Sequence, residues 1–240
     1  VAQGLDGTVR DTYNGDTVWE NSLNTMKSKV PVLRETLPAA LDNWGQEKRY
    51  TGTAAENFLN ATLNPGSVTK YRTSAVNQEL YRLESLNIDV KYPEKKAPSD
   101  GSRNGKDVDL TQNEKRQYQM AYGQTAYDNI QKLIQSATYK RASETEKAAA
   151  VQNLLEVATA AGRKKAKLDG SDTPTWTTKS SGSVADNAVY RAKLTSAKNT
   201  LPKSDRDNNG KVMQAIVQTA GSKRGGSDQI ALNVMAQKLS

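Results

Sequence analysis

The stretch LTQNEKRQYQMAYGQTAYDNIQKLI, residues 110–134, decides the fold that this sequence predicts. Thr111, followed three residues later by Glu114, forms a capping box, which is typical of a helix N-terminus. Gly123 is the position of weakest helix propensity in the stretch. The residues that recur at helical spacing, mostly on one face, are Tyr118, Ala121, Tyr122, Thr125, Ile130, Leu133 and Ile134. A long amphipathic helix is therefore predicted.

A second long helix is predicted directly after the first. Ser143 and Glu146 form another capping box. Apolar residues then follow at i, i+3, i+4, i+7 and i+10, which is the spacing of one helix face. They are Val151, Leu154, Leu155, Ala158 and Ala161. These two helices set the fold class, which is mainly α.

Upstream, a helix capped by Asp16 is predicted, and Pro31 ends it. Its apolar residues make one stripe and are Trp19, Leu23, Met26 and Val30. Residues 30–47 predict a shorter helix, or a pair of helices kinked at Pro38, that stops at Gly45.

Two more helices are predicted before residue 88. One covers 53–63 and is ended by the Asn-Pro-Gly sequence at 64–66. Its buried edge consists of Phe58, Leu59, Thr62 and Leu63. The other ends near Asn87 and carries Val76, Leu80 and Leu83.

The pattern changes between residues 88 and 110. Alternate apolar positions at Ile88, Val90 and Tyr92 are followed by the polar run EKKAPSDGSRNGK, and then by Val108 and Leu110. Alternation of this kind indicates strands. A short β-hairpin with a flexible tip is predicted there.

The last quarter of the chain has a separate pattern. Residues 169–182 are rich in Ser, Thr, Asp and Gly and predict a linker. Short helices are expected near 183–198, 211–220 and 228–238. The predicted organisation is a helical domain over 1–168 with a hairpin near 88–110, the linker, and a small basic helical tail over 183–240.

Composition excludes several classes of function. The chain has 240 residues, no cysteine and no histidine. Thiol nucleophiles, Ser-His-Asp triads, disulfides and sites with His or Cys metal ligands are therefore absent from this sequence. Only 35% of residues are apolar and mean hydropathy is −0.77, which predicts thin helical layers. No apolar run approaches the roughly 18 residues that a membrane span needs, so no span is expected. No cofactor is expected.

The sequence SDRDNNGKV, residues 204–212, begins like a calcium-binding loop, with Asp205, Asp207 and Asn209 at alternate positions. Such a loop needs a bidentate carboxylate at its twelfth position. Counted from Asp205 that position is Ile216. An Asp/Asn/Gly turn that leads into a helix is the preferred interpretation, and no metal site is expected.

Basic charge is concentrated at two places. Residues 191–240 hold nine Lys or Arg against three Asp, and so carry +6 of the formal net charge of +8. A second cluster, RKKAK at 163–167, lies where a helix should end. Cations there complement the helix dipole, which is one interpretation of the cluster. Contact with phosphates or another anionic surface is the alternative.

The order of elements over about residues 6–168 resembles the C-terminal region of large polyvalent or minor structural proteins of tailed phages and prophages, chiefly of Firmicutes. The resemblance lies in DGTVRDTY (6–13), KVPVLRETLPAALDNWGQE (29–47), NFLNATLNPGSV (57–68), ELYRL (79–83) and the 110–134 helix. It implies a non-catalytic helical module. It also implies a location in the virion and ejection with the genome into the host cytoplasm. The expected partners are virion proteins or further copies of the chain.

Three functions stay open at this point. The first is a structural or interaction module of a phage virion or ejected protein, acting by helix-mediated assembly. The second is a non-specific nucleic-acid-binding protein that accompanies phage DNA, and the third is a fragment of a larger enzyme. The residues expected to contact partners or nucleic acid are Arg10, Trp44, Arg163, Lys164, Lys165, Lys167, Lys223 and Arg224. For Trp44 the alternative to partner contact is a role as an anchor of the core.

Overall fold

The structure is a computed structural model and describes residues 8–15, 17–49, 74–94, 96–178, 182–208, 210–212 and 214–215. These residues are mainly helical and contain a single two-stranded antiparallel hairpin, which confirms the predicted fold class. No helix among them is long and apolar enough to cross a membrane. The predicted helices at 53–63 and 228–238, and most of the one at 211–220, lie outside the described residues.

The chain divides into two compact units. The first combines described residues within 1–74, 93–124 and 161–171, and the second combines those within 75–92, 125–160 and 172–240. The boundaries of these two units differ from those of the predicted domains. The segment 169–182 holds a short 3-10 helix, Thr175–Thr178, in which Trp176 is buried.

In unit 1, short helices α1 (Val18–Lys27) and α2 (Pro31–Arg34) precede the hairpin of β1 (Asp100–Arg103) and β2 (Lys106–Asp109). The unit also takes the N-terminal half of α4, Gln112–Gln135, and the C-terminal end of α6, Glu144–Lys165. Both long helices begin at the predicted capping boxes, at Thr111 with Glu114 and Ser143 with Glu146. The buried apolar residues of the unit include Leu37, Trp44, Leu110, Tyr118, Tyr122 and Leu168.

Gly123 is the point at which α4 meets the loop that carries Trp44. A Cβ placed on Gly123 would lie 2.1 Å from the carbonyl carbon of Trp44 and 2.3 Å from the amide nitrogen of Gly45. Gly45 itself has φ +69°, and a Cβ there would lie 2.6 Å from the carbonyl oxygen of Gln119. Both glycines are required because backbone lies against backbone.

The prediction of helix for residues 30–47 is wrong beyond Arg34. The chain instead makes isolated antiparallel bridges, Arg10 with Ala39 and Leu41 with Glu47. Between them the carboxylate of Asp42 accepts hydrogen bonds from the backbone N–H groups of Trp44 (2.8 Å) and Gln46 (2.9 Å). Asp favours such a local turn over a helix because its side chain bonds to nearby backbone donors.

The hairpin is present, but its first strand was predicted in the wrong place. Residues 88–94 form no strand, and β1 comes from the polar run, with Gly101 opposite Val108 and Arg103 opposite Lys106. The turn is Asn104-Gly105, with φ values of 54° and 73°. Two positive φ values suit a two-residue hairpin turn, for which Asn-Gly is the preferred sequence.

Unit 2 contains α3 (Ala75–Ser85), α5 (Ala137–Lys140) and α7 (Val184–Asn199), with the remaining parts of α4 and α6. The helices predicted to end near Asn87 and to cover 183–198 are thus confirmed. Two buried amides join elements of this unit: Asn153 donates to the carbonyl of Ala188, and Asn187 to that of Thr177. Its fully buried residues include Val76, Leu80, Leu83, Ile130, Leu133, Val151, Leu154 and Val189.

Replacing Gly123 by Ala should destabilise the protein, although Ala gains about 1 kcal/mol of helix propensity over Gly. The new methyl group would overlap backbone atoms of Trp44 and Gly45, and overpacking of this kind costs about 1–3 kcal/mol or more. We expect a net loss in the free energy of unfolding, measured by urea denaturation.

Gly162→Ala in α6 is the matched control. Its Cβ would meet the ring of Tyr118 at 2.9 Å, and a side chain can shift where backbone cannot. Gly162→Ala should therefore lower the free energy of unfolding less than Gly123→Ala does. A Gly123→Ala protein as stable as the wild type would contradict the close approach.

Candidate functional site

The polar face of helix α1 bonds to the segment directly before it in the chain. Asn21 accepts a hydrogen bond from the N–H of Gly15 (2.9 Å), and the side chain of Asn24 donates to that of Asn14 (2.8 Å). The helix is capped at Thr17, whose hydroxyl accepts from the N–H of Glu20 while the Glu20 carboxylate accepts from the N–H of Thr17. The predicted cap, Asp16, lies outside the described residues.

The opposite, apolar face of α1 is exposed. Trp19 is 71% exposed and Met26 is 67% exposed, and α1 contains no buried residue. The turn and helix after it add more exposed apolar side chains. We define the apolar surface as Val18, Trp19, Met26, Val30, Val32 and Leu33. An apolar helix stripe ordinarily faces a core, so this arrangement marks a surface available for contact.

Among the sequence-predicted contact residues, Arg10 and Trp44 lie inward in unit 1. Trp44 is 5% exposed, which confirms its alternative role as a core anchor. Arg10 is half-buried and donates from Nη1 to the carbonyl of Leu37 (2.9 Å). Both residues therefore hold the fold together. Lys223 and Arg224 lie outside the described residues.

The four cations at the end of α6 are exposed. Arg163, Lys164 and Lys165 close the helix, and Lys167 follows it with φ +56°. None of these four side chains forms an ion pair with a carboxylate of the residues that the structure describes. We call them the basic cluster. Because no described carboxylate pairs with its charges, it offers a site for an anion such as phosphate.

The hairpin is joined to the end of α6 by Arg103. This side chain donates to the carbonyls of Ala166 (3.0 Å) and Lys167 (3.2 Å) and to the carboxylate of Glu114 (2.6 Å). The backbone N–H of Thr111, then Arg103 and the Thr111 hydroxyl, lower the pKa of Glu114 to about 2. Arg103 thus fixes the base of the basic cluster.

Asp169 fixes the hairpin turn. Its carboxylate accepts hydrogen bonds from the N–H of Gly105 (2.8 Å), the hydroxyl of Ser102 (2.7 Å) and the N–H of Asn104 (3.0 Å). Because all three favour the ionised form, with Gly105 contributing most, the pKa of Asp169 lies below its ordinary value. The carboxylate is exposed but fully engaged in this structural role.

In the loop that resembles a calcium site, Asp205 and Asn208 bond to groups of the chain itself. Asp205 closes a 3-10 helix, Lys203–Asp205, and its carboxylate pairs with Lys211 at 2.8 Å. Asn208 accepts from the N–H of Lys211 (3.2 Å), and Asp207 is exposed. Asn209 and Ile216 lie outside the described residues. Within the described part of the chain, no group of three or more acidic residues is placed to hold a metal ion.

Sequence reasoning missed a charge network in unit 2. Arg82 bonds to Glu79 (2.7 and 2.8 Å) and to Glu144, which also pairs with Lys147 (2.9 Å). The Tyr139 hydroxyl donates to Glu79 (2.8 Å). Burial raises the pKa of Glu79, but these hydrogen bonds outweigh it and the pKa is lowered. The i,i+3 spacings of Glu79 with Arg82 and of Glu144 with Lys147 are the signals that could have predicted it.

Comparison with protein families, with characterised proteins and with solved structures finds no match to this chain.

The Glu114 carboxylate should make stability depend on pH. Its folded pKa of about 2 lies below the ordinary value of 4.5, so its contribution is present above pH 4.5 and is lost as pH falls towards 2. Glu114→Gln retains a capping side chain but cannot ionise. We expect the difference in free energy of unfolding between wild type and Glu114→Gln to be constant above about pH 5 and to shrink below it.

Glu35→Gln is the control, because Glu35 is exposed and forms no ion pair with a described residue. Its difference from wild type should vary less with pH. Equal pH profiles for the two variants would count against the role of Arg103 and Thr111 at Glu114.

Proposed function

We propose that this protein is a non-catalytic structural or interaction module of a phage virion, or of a protein ejected with the phage genome. It acts by helix-mediated assembly with virion proteins or with further copies of itself. The phage setting rests on the sequence resemblance over residues 6–168. The mode of action rests on the apolar surface of α1 and α2.

The apolar surface supports the proposal because it includes a well-formed helix. The exposure of its side chains is therefore not caused by irregular helix geometry. The capping box at Thr17 and the basic residue Lys27 in the last turn are features of a well-formed helix. Asn21 and Asn24 bond to the preceding segment on the polar side of the helix, and Trp19 and Met26 on the other side are exposed. Aromatic residues and Met are enriched at protein interfaces.

Contact between two copies is the first form of assembly to test. Most soluble oligomers are homo-oligomers, most often C2 dimers, in which the same surface serves both partners. A central Trp in a surrounding apolar patch is the usual composition of an energetic hot spot. Trp19 is therefore the residue whose removal should affect assembly most.

We expect light scattering during gel filtration to give a mass above 26.2 kDa that rises with protein concentration. The double variant Trp19→Ser/Val32→Ser should elute near the monomer mass. Because both side chains are more than 70% exposed, its thermal unfolding at low concentration should match that of the wild type.

Leu86→Ser is the matched control, since Leu86 is a 50% exposed apolar residue outside this surface. It should leave the mass unchanged. A wild-type monomer at every concentration, together with no binding to virion proteins, would contradict the assembly function.

Non-specific binding of nucleic acid is the second candidate function. The observation that favours it is the basic cluster, whose cations are exposed and have no acidic partner among the described residues. Lys and Arg in such a position bind the phosphate backbone and release counterions. This activity is compatible with a role beside phage DNA in the virion.

For this candidate, binding to a labelled duplex should weaken log-linearly with salt. Each phosphate contact contributes about −0.9 to the slope, so Lys164→Gln/Lys165→Gln should reduce its magnitude by about 2. Lys132→Gln/Lys140→Gln removes the same charge from exposed positions outside the cluster and should leave the slope unchanged. Equal slopes for both variants would contradict phosphate contact by the basic cluster.

A further inference from the structure

The turn of the hairpin is an Asn-Gly sequence, Asn104-Gly105, and such sequences are prone to spontaneous deamidation. In that reaction the backbone nitrogen of the second residue attacks the side-chain carboxamide of the Asn. Glycine favours the attack because it has no side chain beside the attacking nitrogen. Both residues are exposed, and a Cβ placed on Gly105 would meet no atom within 4 Å. Water therefore reaches the atoms that would react.

The side chain of Asn104 is not protected by bonding. Its carboxamide forms no hydrogen bond with a residue that the structure describes. The bond that Asn104 does form is made by its backbone N–H group. Any protection of this residue from deamidation therefore comes from the backbone of the turn.

One carboxylate holds both backbone N–H groups of the turn. Asp169 accepts from the N–H of Asn104 at 3.0 Å and from the N–H of Gly105 at 2.8 Å. Two N–H groups that reach one carboxylate lie on the same side of the Cα–C bond of Asn104. Ring closure requires rotation about this bond, which brings the Gly105 nitrogen towards the Asn104 side chain. That rotation breaks at least one of the two hydrogen bonds.

The charge of Asp169 opposes the same step. The Gly105 nitrogen has to lose its proton before it can attack, and a negative charge close by disfavours the deprotonated amide. The hydrogen bonds from Gly105, Ser102 and Asn104 lower the pKa of Asp169, so its carboxylate is ionised at neutral and alkaline pH. Geometry and charge thus act in the same direction.

We propose that Asn104 is a latent deamidation site that the Asp169 carboxylate keeps unreactive. When Asp169 releases the turn, the Gly105 nitrogen forms a bond to Cγ of Asn104. Ammonia leaves, and the proton of the Gly105 N–H passes through water to this leaving group. Water then opens the resulting succinimide at either carbonyl, which gives aspartate or isoaspartate. This inference does not depend on the assembly function or on nucleic-acid binding.

Deamidation would change the attachment of the hairpin to the end of α6. Isoaspartate adds a methylene group to the main chain of the turn, and both products place a second carboxylate beside Asp169. Like charges at this distance repel each other. Arg103, the residue before the turn, bonds to the carbonyls of Ala166 and Lys167. The modification would therefore loosen the base of the basic cluster.

The test is incubation of the full chain at mildly alkaline pH, followed by peptide mapping with mass spectrometry. The mapping separates the Asn, Asp and isoaspartate forms of each peptide. We expect Asn104 to deamidate at least about tenfold more slowly in the folded chain than in a synthetic peptide of residues 102–107, because hydrogen bonds to an ionised group have to break first. In Asp169→Ala the rate should approach that of the peptide.

Two controls separate the turn from general effects. Asp109→Ala removes the same charge from an exposed position of the hairpin that makes no bond to the turn, and should leave the rate at Asn104 unchanged. Asn14-Gly15 is a second Asn-Gly sequence in unit 1, and its carboxamide and Gly N–H bond to α1. Its rate should be the same in the wild type and in Asp169→Ala.

A selective rise at Asn104 in Asp169→Ala would support the proposal. Equal rates for Asn104 in the folded wild type and in the peptide would overturn it. An unchanged or slower rate in Asp169→Ala would also overturn it, because Asp169 would then have no effect or would act as a base. A rise at both Asn104 and Asn14 would show that Asp169 acts through the stability of unit 1 as a whole, which contradicts a specific role at the turn.

Discussion

The contact of backbone with backbone at Gly123 and Gly45 is the constraint on which unit 1 depends. With no Cβ on either residue, the loop that carries Trp44 lies directly on α4, and Trp44 is buried beneath it. One turn earlier on α4 Gln119 bonds to the carbonyl of Glu94, and two turns earlier Arg116 bonds to that of Ala39. The first half of α4 is therefore bonded to the segments around Ala39 and Glu94 as well as packed on the Trp44 loop.

The long helices could be predicted because their signals are local. A Thr or Ser followed by Glu at the third position, and then helical spacing of apolar residues, is sufficient to locate α4 and α6. The hairpin carried an equally local signal in Asn104-Gly105. Apolar alternation at 88–92 was given more weight than that turn, so the first strand was predicted about ten residues too early.

Other features depend on tertiary contacts that periodicity does not encode. The role of Gly123 becomes clear only when the Trp44 loop is in place. The exposure of Trp19 and Met26 is set by the side chains of Asn21 and Asn24, which bind the preceding segment through the opposite face. Likewise Gln112, Lys115, Arg116 and Gln119 form an ordinary polar helix face by sequence, and only the structure shows that they line a cavity of about 630 Å³. Sequence alone therefore locates the basic cluster, but neither the apolar surface nor the cavity.

The central claim is that the apolar surface of α1 and α2 forms the assembly contact. Amide hydrogen exchange of the full chain, followed by mass spectrometry at low and high protein concentration, tests it most directly. The account predicts that peptides from 17–34 become more protected at high concentration while those from 112–124 do not change. Concentration-dependent protection elsewhere, with 17–34 unaffected, would contradict it.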